Sequence, residues 1–246
     1  MTRRAALAVA ALMAVAFPGA ARAETVLVAV AANFADVAEE LAPLFTEATG
    51  HAVRHSFAAT GQLYTQITQG APFEVYLAAD DERPAWAVAG DLAVEGTVFT
   101  YAIGQLALYS TSIDLADATA VLRAGEVDHL AIADPETAPY GRAAMETLEA
   151  LGLTELYAGK IVIGESITQA LQFVASGSAE LGLVAASQVQ GKAGAWLIPS
   201  ELHQPIRQDA ALLAAGANNP AARAYLAFLR SDAAVAVITA AGYAVE

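Results

Sequence analysis

Apolar residues along this chain change repeatedly between two spacings, one typical of strands and the other of helices. Residues 25–30 (TVLVAV) form an apolar run of strand length. From Asn33 onward the apolar residues recur every three or four positions as far as Phe45, which places them on one face of a helix. Gly50 follows, and a glycine readily ends a helix in a left-handed conformation. The segment is predicted to be a strand that runs directly into a helix.

The same pattern continues over the rest of the chain. Further strands are predicted at 52–58, 73–79, 129–134, 160–164 and 180–186, with one long β-like stretch at 98–109. Further helices are predicted after Gly61, from Arg142 to Leu151, after Ser166, and twice in the tail, where the second begins at Ser231-Asp232. This alternation favours an α/β fold with parallel sheets. Two sets of units, at 25–100 and 129–186, predict two lobes joined by strands, because no low-complexity linker separates them.

Small, neutral residues dominate the four junctions at which a predicted strand meets a helix. The junctions are Ala31-Ala32-Asn33, Ala59-Thr60-Gly61, Pro139-Tyr140-Gly141 and Glu165-Ser166-Ile167. Ligands of open α/β sheets bind at the carboxyl ends of strands, where a helix start offers free N–H groups and about half a positive charge. Two helix starts from each lobe would present their N–H groups to one anion. The Asn33 amide and the Thr60 and Tyr140 hydroxyls are further donors.

Lys, Arg and His are missing from the tightest of these junctions, and Arg142 lies one turn into its helix. A site of neutral donors suits a fully ionised oxyanion, which has only acceptors. A protonated anion such as hydrogen phosphate requires an acceptor, and an unpaired buried polar group costs about 1–3 kcal/mol. The pattern therefore predicts discrimination by protonation state and by size.

Each of these residues also has a plainer interpretation. Asn33, Thr60 and Ser166 are common N-cap residues, which stabilise a helix by about 1 kcal/mol each. Tyr140, between a proline and a glycine, is typical of a packed loop aromatic. The spacing alone leaves caps and ligand contacts equally open.

The N-terminus has the features of a secretory signal peptide over residues 1–23. Arg3 and Arg4 precede an apolar run of 13 residues at 5–17, and Ala21-Arg22-Ala23 is a cleavage motif. The run is shorter than the roughly 20 residues that a membrane-spanning helix needs. We expect cleavage before Glu24 and a periplasmic protein. There is no cysteine, which excludes a lipid-modified N-terminal cysteine.

The net charge of the protein limits the classes of partner that it is expected to bind. The whole chain carries −14, and removal of residues 1–23 leaves 9 Lys and Arg against 26 Asp and Glu, which is −17. So acidic a protein is not expected to bind nucleic acid or anionic membranes. Long-range steering would repel an anion, so specificity must come from a local site. His51 and His55 lie four residues apart in a strand-like segment, and we do not expect them to bind a metal.

Four stretches give the chain a family resemblance: VAVAANF, SFAATGQLYTQITQGAPFEVYLAAD, LAIADPETAPYGRAAMETLEALG and ELGLVAASQV. They resemble the periplasmic molybdate-binding proteins of ABC transporters, the ModA-like family, over about residues 25–246. The resemblance implies a type II periplasmic binding protein fold, an α/β fold whose two lobes each have a mostly parallel sheet flanked by helices and are joined by a two-strand hinge. It implies lobe 1 at 24–103 and 206–246, and lobe 2 at 104–205.

The resemblance also implies function. It implies a monomer that binds molybdate, and also tungstate, without a cofactor and delivers it to a membrane permease. Molybdenum or tungsten would be bound only in the form of its oxyanion. Carried over by position, the contacts fall at Ala32, Asn33, Thr60, Gly61, Tyr140 and Ile167, the last through its backbone N–H. Ala32 offers only its backbone where some members have a hydroxyl, and Ala185 stands where some have a tyrosine, for which Tyr140 is the expected replacement.

Two other functions stay open. The same fold could take sulfate, phosphate or a small organic acid, but an organic acid usually calls for arginine, and Arg142 is the one candidate. An enzyme would rely on the carboxylate pairs Asp80-Asp81 or Asp134 and Glu136, and no histidine or cysteine supports them. We interpret Asp80-Asp81-Glu82 as a solvated loop and Asp134-Pro135 as a loop that orders the turn before Tyr140.

Overall fold

The computed structural model describes residues 23–246, which form two five-stranded sheets with helices on their faces. The strands are β1 (Thr25–Ala31), β2 (Ala52–Ala58), β3 (Val75–Leu77), β4 (Phe99–Gly104), β5 (Leu106–Tyr109), β6 (Leu130–Ala133), β7 (Ile161–Gly164), β8 (Leu181–Ala185), β9 (Ala195–Leu197) and β10 (Ile206–Leu212). The first sheet has the order β2-β1-β3-β10-β4, and the second has the order β7-β6-β8-β5-β9. Each sheet with its helices is called a lobe below.

The chain crosses between the lobes twice. It leaves the first sheet at Gly104, enters the second at Leu106, and returns between Leu197 and Ile206. The long β-like stretch expected at 98–109 is therefore two strands in different sheets, separated by Gln105. Two crossings agree with the two predicted lobes, but the second one, residues 198–205, contains the 3-10 turn Ser200–Leu202 and no strand, whereas strands were expected at both. That the crossings act as a hinge stays a prediction.

Both sheets are mixed rather than mostly parallel. In the first, β1 pairs in parallel with β2 and β3, whereas β10 runs antiparallel to β3 and β4. In the second, β6 is parallel to β7 and β8, whereas β5 runs antiparallel to β8 and β9. The antiparallel strands β5 and β10 are those by which the chain enters a lobe from the other one, and they run in the opposite sense for that reason. The two-lobe α/β architecture itself is confirmed.

Helices cover the faces of the sheets. They are α1 (Ala35–Thr49), α2 (Thr60–Thr68), α3 (Glu82–Ala89), α4 (Ala118–Ala124), α5 (Pro139–Ala150), α6 (Thr154–Tyr157), α7 (Ile167–Ala175), α8 (Ala186–Val189), α9 (Pro220–Phe228) and α10 (Asp232–Ala240), with short 3-10 turns at Ala32–Phe34, Ser200–Leu202 and Ala214–Gly216. The helix expected from Asn33 begins with one of these turns. Gly50 ends α1 in the left-handed conformation, with φ of 73°, as its position predicted.

Apolar cores lie on both faces of each sheet. In the first lobe α1, α9 and α10 bury residues such as Phe45 and Tyr225 on one face, and α2 and α3 bury Leu63 and Tyr76 on the other. In the second lobe the largest cluster also takes in alanines from the strand ends of the first lobe. The two lobes therefore pack against each other at the carboxyl ends of their strands.

The proposed signal peptide, residues 1–23, lies outside the described residues apart from its last position, Ala23. Among residues 23–246, no helix combines the length and the apolar character that crossing a membrane requires. The same residues contain no group of three or more His, Cys, Asp or Glu that could hold a metal ion.

Candidate functional site

The four strand-to-helix junctions meet at a small cavity between the lobes, about 10 Å³ in volume. Its lining consists of Ala31, Ala32, Asn33, Ala59, Thr60, Ala79, Ala138, Pro139, Tyr140 and Ile167. Five of the six residues predicted to contact a ligand are in this set, and Gly61 is not. No lining residue carries a formal charge. That these residues bind an anion stays a prediction.

Three helix starts line this cavity. Thr60 and Ile167 are the first residues of α2 and α7, and Ala32 begins the 3-10 turn that leads into α1. The first N–H groups of a helix have no acceptor within the helix, and they carry part of its positive dipole. The arrangement thus collects backbone donors from both lobes around one small volume.

The N-cap interpretation holds at one junction only. The Ser166 side chain accepts a hydrogen bond from the backbone N–H of Gln169, so it caps α7. Thr60 lies inside α2, after the cap position at Ala59, and Asn33 lies inside the 3-10 turn. Neither side chain caps its helix, and both are buried. Helix capping therefore does not explain Thr60 or Asn33.

The Thr60 side chain and carbonyl both accept hydrogen bonds inside the protein. Its Oγ1 accepts a hydrogen bond from the backbone N–H of Ala79 at 3.0 Å, and its own carbonyl accepts one from Tyr76 Oη at 2.8 Å. Within residues 23–246 no protein acceptor takes the Thr60 hydroxyl hydrogen, although the residue is only 1 % exposed. That hydrogen is available to an acceptor in the cavity.

The Asn33 amide does not donate into the cavity, which corrects the sequence-based expectation. Its Nδ2 donates to Gln208 Oε1 at 2.9 Å and to Tyr243 Oη at 3.0 Å, so both amide hydrogens are used inside the protein. The Tyr243 hydroxyl donates in turn to the Asn33 carbonyl oxygen at 2.9 Å. Asn33 keeps only its backbone N–H for a ligand.

Tyr140 reaches from the second lobe into the first. It is 2 % exposed, lines the cavity, and its Oη accepts a hydrogen bond from Gln208 Nε2 at 3.2 Å. Gly104 makes this approach possible, since a Cβ there would overlap with the Tyr140 Oη. Burial raises the pKa of Tyr140 well above its usual value, so the hydroxyl stays protonated and remains a donor. The packed-aromatic interpretation is thus correct for the ring but leaves the hydroxyl with a polar role.

The sequence analysis missed the cluster of polar side chains beneath the cavity. We call the set Asn33, Tyr101, Tyr140, Ser187, Gln208 and Tyr243 the inner cluster; Tyr140 and Ser187 come from the second lobe. Ser187 supplies a hydroxyl two residues after Ala185, where none was expected, and it bonds to Tyr243 Oη at 2.9 Å. Gln208 could have been noticed, because Ile206, Gln208 and Ala210 alternate on the buried side of one strand.

Gly61 contacts the other lobe instead of the cavity. Its N–H donates to the Thr137 carbonyl at 2.8 Å, so it is not free for a ligand. A Cβ at this position would lie 3.0 Å from the Thr137 Cα and 3.1 Å from its carbonyl oxygen. The glycine permits close approach of the lobes, and its sequence-based assignment as a ligand contact is not supported by this hydrogen bond.

A buried ion pair lies beside Gly61. Arg83 pairs with Asp80, both side chains are less than 10 % exposed, and the Arg83 Nη2 donates across the cleft to the Glu136 carbonyl at 3.0 Å. Burial raises the pKa of Asp80, and the Arg83 guanidinium opposes that shift. The interpretation of Asp80-Asp81-Glu82 as a solvated loop is therefore wrong for Asp80, while Asp81 and Glu82 are exposed.

The Asp134 loop has the ordering role that the sequence suggested. Asp134 Oδ1 accepts from the Glu136 N–H at 3.0 Å, and Oδ2 accepts from the Thr137 hydroxyl at 3.0 Å. The Asp134 carbonyl accepts from the N–H of Ala138 at 2.8 Å. The loop thereby fixes the carbonyls of Glu136 and Thr137 that Arg83 and Gly61 contact.

Arg142 points away from the cavity. Its Nη1 lies 3.1 Å from Glu82 Oε2 in the first lobe, and both side chains are more than 40 % exposed. It does not line the cavity. A carboxylate ligand held by this arginine has no support in the geometry.

Comparisons with known proteins agree with this architecture. Residues 26–244 match the family described as bacterial extracellular solute-binding protein. The chain is 49 % identical to the molybdate-binding protein ModA of Rhodobacter capsulatus, with 99 % of this chain and 97 % of the relative covered. It is also 49 % identical to the molybdate-binding protein ModA of Azotobacter vinelandii, with 92 % of each covered. A solved structure of the Azotobacter vinelandii periplasmic molybdate-binding protein aligns with a TM-score of 0.86 at 37 % identity, covering 90 % of this chain and 99 % of that one.

Proposed function

The chain belongs to the family of bacterial extracellular solute-binding proteins, and on this premise we propose that it binds molybdate and delivers it to the permease of an ABC transporter. One observation carries the proposal: a small cavity between the lobes is lined by uncharged groups from four strand-to-helix junctions. The choice of molybdate as the ion rests on the two 49 % identical relatives, both of which are named molybdate-binding proteins. Tungstate, as an ion of the same shape and charge, is proposed as a second ligand.

The proposed contacts are the backbone N–H groups of Ala32, Asn33 and Ile167 together with the hydroxyls of Thr60 and Tyr140. Each donor would form a hydrogen bond with an oxygen of the ion, and these oxygens can only accept. A hydrogen bond to a charged group contributes about 1.5–3 kcal/mol, so a few such donors account for tight binding without a counter-charge. Gly61 supports the site from the side, through its contact with the other lobe.

Binding is proposed to proceed by opening and closing of the lobes. Thr60, Tyr140 and Ile167 are each at most 3 % exposed, so a ligand reaches them only when the lobes separate. We propose residues 24–103 and 206–246 as one moving unit and residues 104–205 as the other, with the two crossings as the hinge. Closure then assembles donors from both lobes around the ion.

The remaining assignments follow from the same proposal. Residues 1–23 are proposed as a signal peptide that directs the protein to the periplasm, where it acts as a monomer. We propose no enzymatic turnover, no cofactor and no binding to nucleic acid. The partners are the oxyanion and the permease.

Calorimetric titration of the purified, dialysed protein at neutral pH tests the proposal. Molybdate should bind one-to-one, with sulfate at least about a hundredfold weaker, a difference of about 2.7 kcal/mol. Phosphate and acetate serve as a protonated oxyanion and a carboxylate, and both should bind more weakly still. No binding of molybdate, alongside binding of sulfate, phosphate or acetate, would reject the proposed ion and retain the cavity as a site for another anion.

A further inference from the structure

Thr168, the second residue of α7, forms a hydrogen bond to the other lobe beside the cavity. Its neighbour Ile167 begins the helix and lines the cavity, whereas Thr168 does not. The Thr168 Oγ1 donates to the Ala32 carbonyl in the first lobe at 3.2 Å. The carbonyl oxygen can only accept, so the hydrogen of this bond belongs to Thr168. The start of α7 therefore contacts the first lobe directly, one residue away from the cavity lining.

Gln188 on α8 supports this direction of the Thr168 hydroxyl. Its Nε2 donates to Thr168 Oγ1 at 2.9 Å, so the hydroxyl accepts one hydrogen bond and donates the other. With the amide reversed, the single hydroxyl hydrogen would face two acceptors, and one of the two contacts would lose its bond. In residues 23–246 the Gln188 Oε1 is buried without a hydrogen-bond partner, and reversal would place an unpaired NH₂ group there instead. The orientation with Nε2 at Thr168 thus makes more hydrogen bonds.

The Ala32 carbonyl belongs to the same peptide unit as the Asn33 N–H. A peptide unit is planar and trans, so its C=O and N–H point in opposite directions and turn together. Asn33 is the second residue of a 3-10 turn, and its N–H has no acceptor within that turn.

The carbonyl end of this peptide is held from both lobes. It accepts from the Ala35 N–H inside the turn and from Thr168 across the cleft. Hydrogen bonds in series polarise one another, so a bond at the carbonyl strengthens the N–H of the same peptide as a donor. The Asn33 N–H is one of the donors proposed for the ligand, and Asn33 lines the cavity.

We propose that Thr168 is a positioning residue that holds the Ala32–Asn33 peptide from the opposite lobe, and so aligns and strengthens the Asn33 N–H as a donor to the bound oxyanion. This inference rests on the proposed function, because it concerns the same cavity. Thr168 belongs to the second lobe and Asn33 to the first, so the bond breaks whenever the lobes separate. Closure then does more than enclose the ion: it improves a donor that the first lobe already carries.

Calorimetric affinities for molybdate test the hydroxyl. Thr168→Val keeps the shape of the side chain, and it should weaken binding about three- to tenfold, the range for one hydrogen bond between neutral groups. Thr168→Ser keeps the hydroxyl and should stay within about twofold of the wild type, as substitutions that remove no specific interaction do. A loss in Thr168→Val below about threefold would overturn the proposal. So would a serine variant as weak as the valine variant, since the methyl group would then be what matters.

Thr111→Val is the matched control. The Thr111 Oγ1 also donates to a backbone carbonyl at a long distance, 3.3 Å to Val174, but both residues lie in the second lobe. This variant loses a hydrogen bond of the same kind without touching the contact between the lobes. It should bind molybdate within about twofold of the wild type. An equal loss in both variants would mean that any weakened threonine in the second lobe lowers affinity, and the proposal would be wrong.

Amide proton shifts give a readout that a purely structural role would not change. Saturating molybdate should move the Asn33 amide proton downfield in the nitrogen–proton correlation spectrum. In Thr168→Val that movement should be smaller by about a tenth or more, the cooperative share of one bond in series. The Ala32 N–H is the internal control, because its peptide carries the Ala31 carbonyl, and its movement should be unchanged. Equal reductions at both amides, or none at Asn33, would overturn the proposal.

Failure of the two proposals is separable. If the wild type binds sulfate or phosphate instead of molybdate, the proposed function is wrong, and the same variants measured with the tightest ion still test Thr168. If the wild type binds molybdate and Thr168→Val binds it equally well, the role of Thr168 alone is wrong. If none of the three ions binds, both proposals are wrong. If Thr168→Val does not fold, Thr168→Ala removes the same hydroxyl at this partly exposed position, with the same expected losses.

Discussion

The lobes meet through two regions of opposite chemistry, a neutral interior and a charged rim. In the interior, Asn33, Gln208 and Tyr140 join the lobes through hydrogen bonds between uncharged side chains. At the rim, beside Gly61, Arg83 pairs with Asp80 and reaches across the cleft to the Glu136 carbonyl. The rim contains full charges, and the cavity contains none.

This difference indicates two separate roles. The charged rim holds the lobes together, and the neutral interior selects the ion. A full charge in the cavity would attract any anion, protonated or not, and would give no basis for choosing among oxyanions. Oriented donors are more demanding, since each requires a lone pair in a fixed place. At the rim the requirement is only that the lobes hold together, and a buried ion pair supported by hydrogen bonds serves that purpose. The predictions below perturb one region at a time.

The largest effect is expected from Arg83→Met. Removing the arginine leaves Asp80 buried without its partner, and breaking a buried ion pair costs about 3–5 kcal/mol. The free energy of unfolding, measured by denaturant titration, should fall by about 3 kcal/mol or more. A loss under about 1 kcal/mol, typical of an exposed pair, would show that the pair is not buried in solution.

The double variant Asp80→Asn/Arg83→Met sharpens that result. It removes both charges and should recover much of the lost free energy of unfolding.

The loss of unfolding free energy in Arg83→Met should also depend on pH. Burial raises the pKa of Asp80 in the folded protein, so the cost of the unpaired carboxylate is present above that pKa and is lost as the pH falls through it. A deficit that is independent of pH would point to lost packing instead.

The next effect is in the interior, at Thr60. Thr60→Val removes the hydroxyl and should weaken molybdate by about 1.5–3 kcal/mol, roughly ten- to a hundredfold, the contribution of a hydrogen bond to a charged group. It also leaves the Ala79 N–H without its acceptor, so some stability is lost as well. Thr60→Ser is the matched control, because it keeps the hydroxyl and should retain affinity. Equal affinity for the valine and serine variants would remove Thr60 from the site.

Gly61→Ala tests the border between the two regions. The added Cβ would lie 3.0 Å from the Thr137 Cα and from Arg83 Nη2, so it opposes closure. Affinity for molybdate should fall about tenfold, within the usual 1–3 kcal/mol for an overpacked contact. Stability should change less, because the Thr137 atoms belong to the other lobe. Gly159→Ala, where nothing lies within 4 Å, is the control and should bind as the wild type does. Unchanged affinity in Gly61→Ala would mean that the lobes close less tightly than this structure shows.

The sequence predicted what depends on local pattern. The strand-to-helix junctions are local features, so Thr60, Tyr140 and Ile167 were placed at one site before the fold was known. The direction of a side chain depends on distant partners. Asn33 has its amide turned inward by Gln208, which lies 175 residues away. No local pattern contains that contact.

The same limit explains the errors at the rim and the hinge. Asp80 looks solvated beside Asp81, and only the tertiary fold brings Arg83 to it and the Glu136 carbonyl to Arg83. The stretch 98–109 is β-like throughout, and its division at Gln105 follows from which sheet each half joins. Hydrophobic spacing predicts that a strand exists, but sheet membership is decided by tertiary packing.

The smallest effect is expected at the exposed end of the rim. Arg142 Nη1 and Glu82 Oε2 are 3.1 Å apart, with both side chains more than 40 % exposed, and exposed pairs contribute about 0–1 kcal/mol. Arg142→Gln should therefore change molybdate affinity by less than about twofold. The measurement also decides between ligands, because Arg142 is the arginine nearest in sequence to a junction and an organic acid would need its guanidinium. A loss of tenfold or more would mean that Arg142 turns inward to hold the ligand. The neutral interior would then be incomplete, and a carboxylate would replace molybdate as the better candidate.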